Sequence, residues 1–187
     1  MDFIARSGKI GMVRTIPKGL SPASDVANLS LFGYDPLEYY TGRAALEAAH
    51  MGINLNDDEI AFRCNLITAD EQKLIDYSAG HITTKEAGEL IKVLDEKLGC
   101  KDIRFFPGTG YRHIVVIKLS AFGKKGEISC KAPHDIMGMP LKDNLPKGTG
   151  SQLLINLMQA SRDCLKEHPI NQVRIDLGEN PANMIWL

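Results

Sequence analysis

Hydrophobic and polar positions alternate most clearly from about residue 58 onward. In EIAFRCNLIT, Ile60, Phe62, Cys64 and Leu66 fall on one side, and Ala61, Arg63, Asn65 and Ile67 on the other. That two-residue repeat predicts a strand. The ADEQ turn and the KLIDYS segment make it the first arm of a hairpin. The period then changes. Ala87, Leu90, Ile91, Leu94 and Leu98 form one helical stripe, opened by Thr83 and Glu86 as a capping box and closed by Gly99. IRFF and YRHIVVIKL predict two further strands around PGTG. After a loop-rich stretch over 120–150, Thr149 and Gln152 are placed to cap a long helix bearing Leu153, Leu154, Leu157, Met158, Ser161, Cys164 and Leu165. Pro169 is expected to stop it.

The first fifty residues are more broken. KIGMVRTI reads as a strand, and SPASDVANLS as a short helix capped by Ser24 or Asp25 and ended by Gly33. TGRAALEAAHMG reads as a helix with Thr41 as cap and Gly52 just past its end. Strand-strand-helix-strand-strand-helix implies a small, mostly antiparallel four-stranded sheet with helices on one face, over about 55–168. The apolar run NMIWL reads as a buried strand that needs neighbours, and suggests that more protein belongs beside it.

Composition narrows the class without naming a chemistry. The 187 residues are 44% hydrophobic and 24% charged, with a net charge of −1. This is an ordinary globular balance, with no basic surface for nucleic acid. No apolar run approaches a membrane span, and MDFIARSGKIGMV lacks a signal-peptide core, so the expectation is a cytoplasmic protein. Cysteines 64, 100, 130 and 164 form no CxxC pair and are expected to be reduced and mostly buried.

Several residues are candidates for chemistry. A hydroxyl at a helix start, as at Ser24, lies among unpaired amides where phosphate binds readily; the same residue can equally be a plain cap. Arg63 is either a solvated strand arginine or a clamp for phosphate or carboxylate. His81, after the SAG turn, suits acid/base work, phosphate donation or a surface turn. Arg112-His113 opens a strand; His113 shares a face with Tyr111, Val115 and Ile117, as a satisfied core histidine would. His134-Asp135 suits a polarised imidazole, a metal pair or a loop stabiliser. No HxxxH pair exists, and LPKGTGS lacks the full phosphate-loop pattern.

SDVANLSLFGYDP, YYTGRAALEAA, AFRCNL, DYSAGH, YRH, PHDI and NPANMIWL, in that order along the chain, resemble the archaeal-type cofactor-independent phosphoglycerate mutases of the alkaline phosphatase superfamily. The resemblance implies an isomerase that interconverts 2- and 3-phosphoglycerate through a phosphoserine, which Ser24 matches. It implies two divalent ions, manganese or similar, with Ser24 among their ligands. It also implies a phosphoglycerate-binding domain at 55–168, inserted between a core piece at 1–54 and a return segment at 169–187. Arg43, Arg63, His81, Arg112 and His113 are the substrate-binding positions carried over; His134 and Asp135 match a motif without an assigned role. The family's Asp-Gly metal motif and most of its Asp/His ligands have no counterpart in this chain. The expectation is therefore a middle fragment that binds no metal and is inactive alone. Its alternatives are a homoserine-kinase-like phosphotransferase of the same family, a non-catalytic phosphate-ligand module, and a purely structural domain.

Overall fold

The computed structural model describes residues 2–20, 22–122 and 128–187. Its contacts divide the chain into one unit up to Arg43 and a second from Ala44 onward.

The first unit holds short helices α1 (Asp2–Ser7), α2 (Ser24–Leu31) and α3 (Pro36–Tyr39). Helix α4 (Arg43–His50) begins at its last residue. The expected strand at KIGMVRTI is irregular chain instead. No strand pairs with it among the described residues, and Ile10, Met12 and Val13 are exposed. An unpaired strand cannot satisfy its own amides and carbonyls, so alternation alone does not make one. Thr41 is not the α4 cap: Gly42, at φ +106°, stands between it and the helix.

The second unit is built on β1 (Glu59–Ala69), β2 (Leu74–Asp76), β3 (Ile103–Thr109), β4 (Arg112–Lys118) and β7 (Met184–Trp186). Two short strands, β5 (Ile128–Ser129) and β6 (Lys147–Gly148), pair separately. The main sheet runs β2-β1-β4-β3, with β7 also on β1, and every pairing is antiparallel. The sheet thus has five strands rather than four, because the NMIWL segment finds its neighbour within this chain: Asn65 faces Trp186, Leu66 faces Ile185 and Ile67 faces Met184. Asn183 extends that pairing through its side-chain amide, which exchanges hydrogen bonds with the Ala69 backbone.

The long helices α5 (Thr84–Leu98) and α6 (Ser151–Leu165) pack on one sheet face, as the stripes require. The Thr83–Glu86 capping box and the Gly99 end of α5 are both present. Phe62, Cys64, Leu66, Val115 and Ile117 from the sheet meet Leu90, Ile91, Leu94, Leu154 and Met158 in this core. On the opposite face Ile114 and Val116 are covered by Ala48 of α4 and by Ile53 and Leu55 after it. Thr149 and Gln152 do not cap α6; its N-cap is Gly150, left-handed at φ +76° and without a side-chain cap. Phe122 lies against the place a β-carbon would take there, so only glycine fits. Pro169 starts α7 (Pro169–Asp176) instead of ending α6, with the His168 ring accepting the Ile170 amide as cap. A proline at the first helical position loses no hydrogen bond.

The four cysteines are free, but Cys100 and Cys130 are exposed, against the expectation of mostly buried thiols. No described helix is long and apolar enough to cross a membrane.

Candidate functional site

In the first unit, Ala23 is the extended N-cap of α2 and its methyl group offers no cap bond. Ser24 is therefore the first helical residue, and the expected Ser24 or Asp25 cap is off by one or two positions. The first backbone bond of the helix runs from the Ala27 amide to the Ala23 carbonyl, so the amides before it have no partner within the helix. The exposed Ser24 hydroxyl lies at this amide-rich end. Asp25, the next residue, is engaged by side chains. Its carboxylate accepts from Tyr40 Oη at 2.6 Å, Arg43 Nε at 3.3 Å and Arg43 Nη2 at 3.2 Å. Partial burial works against its ionisation, but the Arg43 and Tyr40 bonds win and hold it at about 2. Burial, reinforced by the Asp25 charge, pushes Tyr40 up to about 12. The Arg43 guanidinium, a substrate-binding candidate, thus spends two donors on Asp25.

No three His, Cys, Asp or Glu residues converge among the described residues. With Asp25 committed to Arg43 and Tyr40, the residues present do not fit a divalent metal centre.

In the second unit, Arg63, Asn65, Arg112 and Ile114 share one sheet face, since Arg63 pairs with Ile114 and Asn65 with Arg112. Two arginines therefore stand diagonally across adjacent strands, close enough for long side chains to address one anion. Arg63 Nε donates to Glu47 Oε2 at 3.1 Å, and among the described residues its other donors carry no hydrogen bond. Arg112 is exposed and lies 5.4 Å from the Tyr111 ring centroid. Rings continue outward: Tyr111 meets Tyr77 edge-on at 5.7 Å, and Tyr77 meets His134 at 6.3 Å. Exposed His134 lies 3.5 Å from the Asp135 carboxylate, so the pair acts on each other at the surface. Between the arginines, the Asn65 side-chain oxygen Oδ1 is buried without a partner among the described residues.

His113 points the other way, into the core opposite Cys64. Its Nδ1 accepts the Gly108 amide at 2.9 Å, while Nε2 is buried and unpartnered. It is a core histidine, as its strand face suggested, held by the Gly108 amide and close to the Gly110 backbone. Burial pushes it down to about 4, so the ring is neutral near neutrality.

His81 is exposed at the end of three consecutive left-handed residues: Ala79 (φ 49°), Gly80 (φ 64°) and His81 (φ 52°). Two of the three carry a β-carbon, an arrangement that costs energy and persists only when surroundings enforce it. The Asp76 carboxylate accepts the Ser78 amide and hydroxyl at 2.8 and 2.7 Å, the Gly80 amide at 2.7 Å and Asn180 Nδ2 at 3.0 Å. Burial opposes its charge, but these bonds hold it at about 2. The turn reaches the β3–β4 hairpin through Thr84 Oγ1, which accepts the Gly110 amide. His81, Tyr77, Tyr111 and Arg112 therefore belong to one end of the sheet. Asp76, Glu47 and Arg174, which hold this end, were not singled out from the sequence; the acidic start of DYSAGH was the one available signal.

The sequence profile of the 2,3-bisphosphoglycerate-independent phosphoglycerate mutases matches residues 5–171. A protein of that name from Methanothrix thermoacetophila is 50% identical over 187 residues, all of this chain and 46% of that protein. A probable 2,3-bisphosphoglycerate-independent phosphoglycerate mutase from Geobacter sulfurreducens is 48% identical, covering all of this chain and 47% of that protein. Among solved structures, the cofactor-independent phosphoglycerate mutase of Thermoplasma acidophilum superposes with a TM-score of 0.65 at 27% identity, over 89% of this chain and 46% of that one. The chain spans about half the length of the curated relatives it matches.

Proposed function

The chain belongs to the 2,3-bisphosphoglycerate-independent phosphoglycerate mutases, and from that premise we propose that it supplies the phosphoryl-accepting serine and the substrate-holding sheet of such an isomerase. In the intact enzyme the Ser24 hydroxyl attacks the phosphorus of one phosphoglycerate. The ester oxygen leaves on glycerate, which takes up a proton. The other glycerate hydroxyl then attacks phosphoserine and frees Ser24. The open amides at the start of α2 suit the phosphoryl oxygens during both transfers. Divalent ions, manganese or similar, have no ligand set among the described residues.

The observation that carries the recognition half is the arginine pair on one sheet face, at the end of the sheet that Thr84, three residues after His81, ties to Gly110. Arg63 and Arg112 offer planar forks to the phosphate and carboxylate, and His81 offers a ring donor. Buried His113 supports that face from behind, and Arg43 acts through Asp25 beside Ser24. We assign the recognition domain to about 55–168, the alone-standing chain to an inactive state, and the intact enzyme to the cytoplasm. In the first unit Phe3, Ile4, Ile10, Met12 and Phe32 are exposed, which suits a surface that packs against further polypeptide.

Titrating the isotope-labelled chain with millimolar 3-phosphoglycerate is expected to shift Arg63, His81 and Arg112 side-chain resonances. Silence at all three would remove the recognition reading. Full-length enzyme with manganese, and without bisphosphoglycerate, is expected to interconvert the two esters and to lose this activity in Ser24→Ala. Phosphorylation of homoserine in place of interconversion would move the assignment to a kinase.

A further inference from the structure

Arg174 is an arginine with only 3% of its surface exposed, and none of its obvious partners lies on its own turn of helix. Its Nη2 donates to the carbonyls of Ala79 at 2.9 Å and Gly80 at 3.1 Å. Nε donates to the Asn180 carbonyl at 3.1 Å. Nη1 faces Glu86, the capping-box partner of Thr83 in α5, at 3.4 Å, and Glu179 at 3.1 Å. A buried ion pair of this kind is a poor source of stability compared with apolar packing, so its retention asks for another reason. The turn it grips supplies one. Ala79 has no side chain able to stabilise a left-handed conformation, and His81 adopts the same region. Local sequence would not hold these residues so. Arg174 takes the carbonyls of the turn, while Asp76 takes the amides of Ser78 and Gly80. A β-carbon on Gly80 would come within 2.7 Å of Arg174 Nη2, so the glycine is part of the same fit.

We infer that Arg174 is a positioning residue: with Asp76 it clamps Ala79, Gly80 and His81 in the left-handed region, and this clamp sets how tightly the turn holds the ligand's anionic group. The inference rests on the proposed recognition role of His81. It makes the segment from α7 to Asn180 part of the binding apparatus although it touches no ligand.

The test uses the whole chain, labelled with nitrogen-15 and carbon-13, as wild type, Arg174→Met and Arg174→Lys, with Leu157→Ala, a core truncation on α6, as a destabilised control. Without ligand, Arg174→Met is expected to move the backbone shifts of Ala79, Gly80 and His81 out of the left-handed range, while Trp186 and Asn171 signals stay put. With 3-phosphoglycerate, its affinity is expected to fall about tenfold or more, as small misplacements of a binding group do. Lysine, keeping the charge but not the fork, should recover part of the loss, and Leu157→Ala should show none. Unchanged backbone shifts at 79–81 in a folded Arg174 variant would overturn the inference whether or not ligand binds. Unchanged affinity in a variant whose turn has relaxed would overturn it while leaving the recognition reading intact. A wild-type chain whose His81 ignores ligand would sink the recognition reading alone, and the ligand-free shifts would still judge the clamp. Should Arg174→Met fail to fold, Arg174→Lys carries the same comparison.

Discussion

Replacing Asp76 by Asn keeps the shape of the side chain and removes the charge that organises the His81 turn. Four donors converge on this carboxylate, from Ser78, Gly80 and Asn180. An amide in its place turns one acceptor into a donor facing other donors. The fall from 3.8 to about 2 corresponds to about 2.4 kcal/mol at 1.36 kcal/mol per pH unit. The group is only part-buried, and solvent screening brings this to about 1–1.5 kcal/mol. One poorly matched donor adds about 1 kcal/mol, so the expected loss near neutrality is about 2 kcal/mol. The sign follows from linkage. A carboxyl group held below its unfolded value stabilises the fold above about pH 4, and that contribution disappears as pH falls toward 2. The assay is urea unfolding followed by the fluorescence of Trp186, the one tryptophan, buried with its indole N–H on the Lys131 carbonyl. Wild type and variant should differ at neutral pH and converge toward pH 2. A difference under about 0.5 kcal/mol at neutrality, or one that persists undiminished in acid, refutes the reasoning.

His113, neutral in the fold down to about 4, lets the unfolded chain bind a proton first as pH falls from 6.5. The fold should lose about 3 kcal/mol across that window, and His113→Phe should flatten the slope in the same urea assay. Gly150→Ala places a β-carbon on a left-handed residue against Phe122, and should cost about 2–4 kcal/mol by thermal melting. Glu47→Gln releases Arg63 from its carboxylate and should tighten 3-phosphoglycerate binding about two- to fivefold by calorimetry, the worth of a part-exposed ion pair. Equal or weaker binding in that variant would show that Glu47 does not compete with the ligand.

The sheet and its two long helices were legible because both periodicities run long enough to exclude alternatives. Strand β1 runs for eleven residues and alternates through its first half before its fully buried end, and α5 carries a stripe bounded by a capping box and a glycine. Helix starts were read less well. Ser24, Thr41 and Thr149 are all good cap types, yet Ala23, Gly42 and Gly150 occupy the positions before the helices. Two of these are left-handed glycines set by the approach path of the chain, which a propensity argument does not see. The KIGMVRTI segment failed differently: its pattern suits a strand, but no described strand lies beside it. At the candidate site, DYSAGH marked the turn, while its clamp comes from Arg174, far along the sequence in a helix of weak pattern. Partners joined over such a distance leave no local trace, and the burial of Arg174 is fixed only by the tertiary packing.

Strand β1 serves β4 within about 50 residues of itself and β7 about 120 residues later. The order of synthesis therefore separates two events. The β1–β4 ladder can zip while the edge at 65–67 still lacks its third partner, and a hydrophobic edge in that state is open to foreign strands. Pulsed hydrogen exchange during refolding should protect amides of 59–64 and 112–118 before those of 184–186; simultaneous protection would mean that the edge closes in one step. The molecule thus carries its period of greatest aggregation risk between those two events, and a chaperone that shields Leu66 and Ile67 would be needed only until the last rung is laid.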